Sequence, residues 1–316
     1  MFKRSLQIVS VAALALIAVA GCSSGGPPAF DKPPVRVACT TTIVADLVQH
    51  VGGDRVIVES IMGPGVDPHR YQPLPSDIQK LESAHLVFFS GLHLEGKMTD
   101  TFEKSAGRMR GFAVTRSIPR EILRPAEPGS EAQFDPHVWF DVKLWMNCVD
   151  CVREELTNLD PDGAAIYRHN ADRYLKELST LDAEIRAKLQ TVPSNKRVLV
   201  TSHDAFGYFG RAYGYEVRGL QGVSTASETG SADRQHLAQF LGERRIPAVF
   251  TETSTPPEGL LAVLETCRRD FQHSVQLVGG DSALFSDALG DPGSPGGNYP
   301  GMIRHNVDVI VGALAK

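Results

Sequence analysis

From Asp160 to Gln190 the chain reads DPDGAAIYRHNADRYLKELSTLDAEIRAKLQ. Asp160-Pro161 is a strong helix start, an N-cap candidate followed by the proline that a first helical turn tolerates. Apolar residues then recur at Tyr174, Leu178, Leu181, Ile185 and Leu189. That spacing marks one face of a single helix, interrupted only by Gly163 near its start. At 1.5 Å per residue such a helix spans roughly 45 Å, the width of a domain or more. Pro193 and Asn195 close it. A helix of this length in mid-chain divides the sequence into two halves.

Both halves show the same alternation. Ahead of the helix, the patterns predict strands over 35–39, 55–62, 86–90 and 111–114. Helices are predicted over 42–51, 76–84 and 141–158, with Ser76 placed to cap the second. Behind it, strands are predicted over 197–201, 216–219, 247–251 and 275–278. Helices over 205–213, 231–244 and 257–268 lie between them, and a closing helix covers 301–315. Strands alternating with helices argue for parallel sheets flanked by helices. The expected fold is α/β, two similar lobes with mainly parallel sheets joined by one long backbone helix. The expected boundaries are a signal peptide over 1–21, a tether over 22–34, an N-terminal lobe over 35–159, the linking helix over 160–192 and a C-terminal lobe over 193–316. No short-period repeat is present.

The chain has 316 residues, 42% hydrophobic and 22% charged, the composition of a folded globular protein. A net charge of −5 gives no reason to expect a nucleic-acid partner. The first residues are more specific. Lys3 and Arg4 precede an apolar run from Leu6 to Ala20, broken only by Gln7 and Ser10. The run is shorter than the ~20 residues of a membrane span and ends in small residues, as a secretory signal does. Val19-Ala20-Gly21-Cys22 resembles a bacterial lipobox, in which Cys22 is lipidated and becomes the new N-terminus. The glycines, serines and prolines after it read as a tether. Removing residues 1–21 takes away two positive charges and no negative one, moving the net charge from −5 to −7. Cys39, Cys148, Cys151 and Cys267 remain. Outside the cytoplasm they read as a structural disulfide or as buried thiols, and no function attaches to them.

Four loops beside predicted strands carry metal-binding side chains, and in open α/β sheets ligands bind beyond the carboxyl ends of the strands. These are Gly63-Pro64-Gly65-Val66-Asp67-Pro68-His69, Asp135-Pro136-His137-Val138-Trp139, Thr201-Ser202-His203-Asp204-Ala205-Phe206 and Leu284-Phe285-Ser286-Asp287. Asp-Pro-His occurs twice, 68 residues apart, and a proline before histidine limits the backbone freedom lost on holding the imidazole. A lone histidine is more often a surface or packing residue, and Ser286-Asp287 alone reads equally as a helix cap. Spacing by itself suggests a site built from both lobes and leaves that alternative open.

These stretches, with Pro75-Ser76-Asp77 and Gly91-Leu92-His93-Leu94-Glu95, resemble the metal-binding solute-binding proteins of bacterial zinc and manganese ABC importers, the group with a rigid linking helix. The resemblance runs in order through the whole chain after the tether. It implies that His69, His137, His203 and Asp287 hold a divalent metal between the lobes. It further implies a transported ligand, Zn2+ or Mn2+, and as partners an ABC permease and its ATPase. The membrane would be reached through the lipid anchor, the location would be extracytoplasmic (periplasm or cell surface), and a monomer is expected. Three imidazoles and one carboxylate suit zinc, although the His-rich loop common among zinc-specific relatives is absent from 124–135. Zinc leads and manganese stands close behind. Asp67, Asp135 and Asp204 sit within two residues of a ligand histidine and can orient an imidazole or equally cap a turn. Glu252 ends a strand within possible reach of the cleft. His93, His273 and His305 read as structural. The rival readings are a surface adhesin or structural lipoprotein with incidental metal binding, and a secreted zinc hydrolase. The hydrolase lacks an H-E-x-x-H helix, and a fourth protein ligand leaves little room for an activated water.

Overall fold

A computed structural model describes residues 26–98, 101–102, 107–127, 130–227 and 229–315. The expected signal peptide over 1–21 and lipid-bearing Cys22 lie outside the described residues. In the first half, β1 (Val35–Cys39) pairs in parallel with β2 (Val56–Ser60) and β3 (Leu86–Phe89), and β4 (Gly111–Ala113) extends the sheet beyond β3. In the second, β5 (Val198–His203) pairs with β6 (Glu216–Gln221) and β7 (Ala248–Phe250), and β8 (Gln276–Val278) adjoins β7. The orders β2-β1-β3-β4 and β6-β5-β7-β8 are the same. Each sheet reverses direction of growth at its first strand, and the crevice this opens lies at the carboxyl ends of β1 and β5. All six residues of β5 are buried, as befits a central strand of a parallel sheet covered on both faces.

The helices are α1 (Thr42–Gly52), α2 (Pro75–Ser83), α3 (Val142–Leu159), α4 (Ala164–Leu189), α5 (Gly207–Tyr213), α6 (Ser231–Glu243), α7 (Glu258–Phe271) and α8 (Tyr299–Leu314). Two expected caps are not formed. Ser76 falls inside the first turn of α2, which starts on Pro75. The carboxylate of Asp77 closes that end by accepting the Leu74 N–H at 2.8 Å. Asp160 does not cap the long helix. It accepts two hydrogen bonds from the Arg55 guanidinium, both 2.8 Å, and the Tyr167 hydroxyl at 2.6 Å. A charged, bidentate partner outcompetes the backbone for that carboxylate. A 3-10 turn at Pro161–Gly163 therefore precedes α4. Gly163 is required there, because a Cβ would lie 2.5 Å from Asp160 Oδ2 and 2.6 Å from both Arg55 Nε and Tyr167.

The apolar stripe of α4 is buried along its length, at Tyr167, Ala171, Tyr174, Leu178, Leu181, Ile185 and Leu189. It packs with α1, α3 and α8 in one apolar cluster that also takes in β1, β3, Phe140 and Phe206. Phe140 and Phe206, from opposite halves, stack with ring centroids 4.2 Å apart. The lobes thus share a core. A separate cluster of Val200, Leu241, Val263 and Cys267 fills the outer side of the second lobe. All four described cysteines are free and buried, the second of the two states open from sequence. Burial pushes the Cys151 thiol up to about 11, away from reactive thiolate.

Candidate metal centre

The two Asp-Pro-His triplets fold alike. In each, the carboxylate accepts the backbone N–H of the histidine two residues on, Asp67 Oδ1 from His69 at 2.9 Å and Asp135 Oδ1 from His137 at 3.0 Å. This local turn fixes the backbone of each histidine within its loop. His203 is the last residue of β5. Asp287 comes after a bridge between Glu252 and Leu284, in a loop pinned from both sides. Asn306 bonds the N–H and the carbonyl of Phe285 at 2.9 and 2.7 Å, and Trp139 Nε1 donates to the Ser286 carbonyl at 2.9 Å.

The structure brings these four residues together. One ligand atom from each of His69, His137, His203 and Asp287 lies within 4.8 Å of the others, and all four side chains are buried. His69 Nε2 and His137 Nε2 are 3.2 Å apart. His137 Nε2 stands 3.4 Å from Asp287 Oδ1, and His203 Nε2 stands 3.4 Å from Asp287 Oδ2. His69 Nε2 is 4.0 Å from the latter oxygen. Among the described residues, both Asp287 oxygens and His203 Nε2 are buried without a partner in hydrogen-bonding geometry. Buried polar atoms are ordinarily satisfied, so these converging unpartnered atoms, two of them carboxylate oxygens, fit a cation.

The charges agree with that reading. Burial pushes the Asp287 carboxyl up, but His203 and His137 outweigh it and hold it well below the usual range. Burial pushes His203 down, and Glu252 with Asp287 more than reverses this. His137 is likewise opposed by burial and raised to about 9 by Asp135 and Asp287. His69 is pushed down to about 3 by burial, with Asp287 opposing and the other two histidines adding to the shift. The neighbours thus favour an ionised Asp287 carboxylate and make two imidazoles more basic, a balance of charge that a divalent cation can take over.

The four expected supporting residues divide. Asp135 Oδ1 lies 2.9 Å from His137 Nδ1 and so orients that ring. Glu252 Oε2 lies 2.5 Å from His203 Nδ1, and its Oε1 accepts the His203 N–H at 3.0 Å. Asp204 forms no hydrogen bond with the His203 ring among the described residues. It comes directly after the histidine along the chain and so leaves the strand direction, whereas Glu252 arrives from the neighbouring β7. Asp67 holds the backbone of His69 and not its imidazole, and its second oxygen accepts the Thr225 hydroxyl at 2.5 Å. Sequence reasoning missed Thr225, which carries no signal beyond a serine- and threonine-rich loop. His273 and His305 bond the carbonyls of Ile246 and Ala283, at 2.8 and 3.0 Å. His93 stands 3.5 Å from Glu131 at the mouth of a cleft of about 930 Å3. Of the four clustered residues only His69 borders that cleft.

Residues 37–313 match the family described as zinc-uptake complex component A, periplasmic. The chain is 46% identical over 288 residues to the zinc-binding protein TroA of Treponema pallidum (strain Nichols), covering 91% of each. It is 41% identical over 307 residues to the manganese-binding lipoprotein MntA of Bacillus subtilis (strain 168), covering 97% of this chain and 98% of that protein. The solved structure of periplasmic zinc binding protein TroA from Treponema pallidum superposes with a TM-score of 0.85 at 45% identity, over 90% of this chain and 100% of that one. This chain therefore belongs to the ZnuA family of metal-binding solute-binding proteins of ABC importers.

Proposed function

We propose that this protein captures a divalent transition metal, zinc first and manganese close behind, between its two lobes and delivers it to an ABC permease and its ATPase. The ligands are His69, His137, His203 and Asp287. The observation that carries this is the buried convergence of three imidazoles on a carboxylate whose two oxygens have no other described partner. Three nitrogens and one carboxylate satisfy four-coordinate zinc, or five-coordinate if both oxygens bind. The relatives divide between metals, one named for zinc and another for manganese. Nitrogen donors favour zinc, and Asp287 fills the position that a catalytic zinc leaves open, which supports binding over hydrolysis.

The domain reading goes with this function. Residues 35–159 and 193–316 form the two lobes, 160–192 the link between them, and 22–34 a tether. After removal of 1–21 a lipid on Cys22 would hold a monomer at the outer face of a membrane. The shared apolar core opposes wide opening of the lobes. Metal content of the full chain, purified without added metal or chelator, tests the site. One equivalent of zinc or manganese supports it, and none contradicts it. Labelling with radioactive palmitate, lost in Cys22→Ala, tests the anchor, and a label that persists in that variant contradicts it.

A further inference from the structure

His69 is the one clustered ligand that borders the open cleft, and it sits on a turn of the first lobe that rests on the second. Gly65, with φ of 70°, brings that turn so near that its Cβ would stand 3.5 Å from the carbonyl oxygen of Thr253. Two residues later Asp67 divides its carboxylate. Oδ1 accepts the His69 N–H at 2.9 Å and Oδ2 accepts the Thr225 hydroxyl at 2.5 Å. Thr225 is buried, and its neighbours Val223, Ser224, Ala226 and Ser227 line the cleft beside His69. One carboxylate therefore ties the backbone of a ligand in one lobe to the cleft wall of the other. The remaining three ligands are held by other means, Asp135 on His137, Glu252 on His203 and the Asn306–Trp139 clamp around Asp287.

We propose that Thr225 is a positioning residue that latches the His69 turn through Asp67 and so sets the rate at which metal leaves the centre. The inference rests on the four-ligand reading above. A metal leaving towards the cleft must pass His69, and His69 moves aside only if its turn lifts from the second lobe. The hydroxyl–carboxylate bond opposes that movement. It touches no metal ligand side chain, so its loss leaves the donor set complete. Changes within one binding site act mainly on dissociation.

The test is metal release from the full chain purified in detergent and loaded with zinc, monitored by stopped flow after mixing with a chromogenic chelator. Thr225→Val removes the hydroxyl and keeps the shape. Dissociation is expected to speed up about tenfold, the scale of one hydrogen bond to a charged group, with association changed less than about threefold. Thr225→Ser restores the hydroxyl and is expected to release zinc at nearly the parental rate. A purely structural role would lower the thermal midpoint of the metal-free chain without separating the two rates. Thr225→Ala provides the same reading should valine not be accepted. Release from Thr225→Val and Thr225→Ala within about twofold of the parent overturns the latch. A parent chain that binds no zinc overturns the centre itself, and the latch with it.

Discussion

Trp139, two residues beyond His137, donates its indole N–H over 2.9 Å to the carbonyl of Ser286, the residue before Asp287. A ligand loop of one half is thus buttressed directly by the other. Tyr299 completes the contact by donating its hydroxyl to the Trp139 carbonyl at 2.7 Å. Trp139→Phe keeps most of the packing but leaves the Ser286 carbonyl buried without that donor. It should cost about 1–3 kcal/mol of stability, read from denaturant midpoints of the metal-free chain. An unchanged midpoint would show that the indole N–H contributes nothing.

Glu252 holds His203 at both its backbone and its ring. Glu252→Gln preserves the shape and removes the charge that makes the imidazole basic. Metal affinity should fall about 10–100-fold, as for other partners of ligand histidines. Competition against a chelator of known affinity measures it, and a loss under about threefold would mean that Glu252 only packs. Asp204→Asn, at a residue that forms no hydrogen bond with that ring, should change affinity far less.

Metal and protons compete for the same atoms. His137, raised to about 9, and His203, raised by Glu252 and Asp287, are made more basic, whereas burial pushes His69 down and the histidines hold the Asp287 carboxyl low. A cation must displace the protons, so affinity falls as pH drops below the raised values. In the metal-free chain the sign is reversed. The raised pKa of His137 contributes stability that is complete below the unfolded value of about 6.5 and is lost as pH rises through about 9. Calorimetric titrations at pH 7 in buffers of different ionisation enthalpy should give net proton release on metal binding. Release close to zero would refute the charge assignment.

Gly163 lies where the chain turns from α3 into α4, against the Arg55–Asp160 pair. Gly163→Ala drives a methyl group into that pair and into Tyr167, and should destabilise the chain by about 1–3 kcal/mol. Metal affinity at saturating folding conditions should be unchanged, because the side chains around Gly163 are those of Asp160, Arg55 and Tyr167, none of them a ligand. A stabilised variant would show that the pair moves aside freely.

Much of the architecture was legible because its signals are local. The stripe from Tyr174 to Leu189 and the strand over 35–39 depend on periodicity alone, and both elements lie where the pattern puts them. The Asp-Pro-His turns could be read for a similar reason, since each aspartate bonds a backbone only two residues away. The hidden features depend on contacts across the chain. Asp160 has the sequence of a cap, but Arg55, 105 residues distant, takes its carboxylate. Glu252 is legible in sequence only as a carboxylate at a strand end, and that it holds His203 follows only once β7 lies beside β5. Thr225 meets Asp67 across 158 residues, in a loop with no pattern of its own.

The central claim is that one metal joins the two lobes through His69, His137, His203 and Asp287. It is tested most directly by mass-spectrometric metal analysis of the full chain alongside His137→Ala and Asp287→Ala, one ligand removed from each lobe. The expected result is one equivalent of zinc or manganese in the parent, lost or bound far more weakly in both variants. Retention of a full equivalent with unchanged affinity in either variant would contradict it.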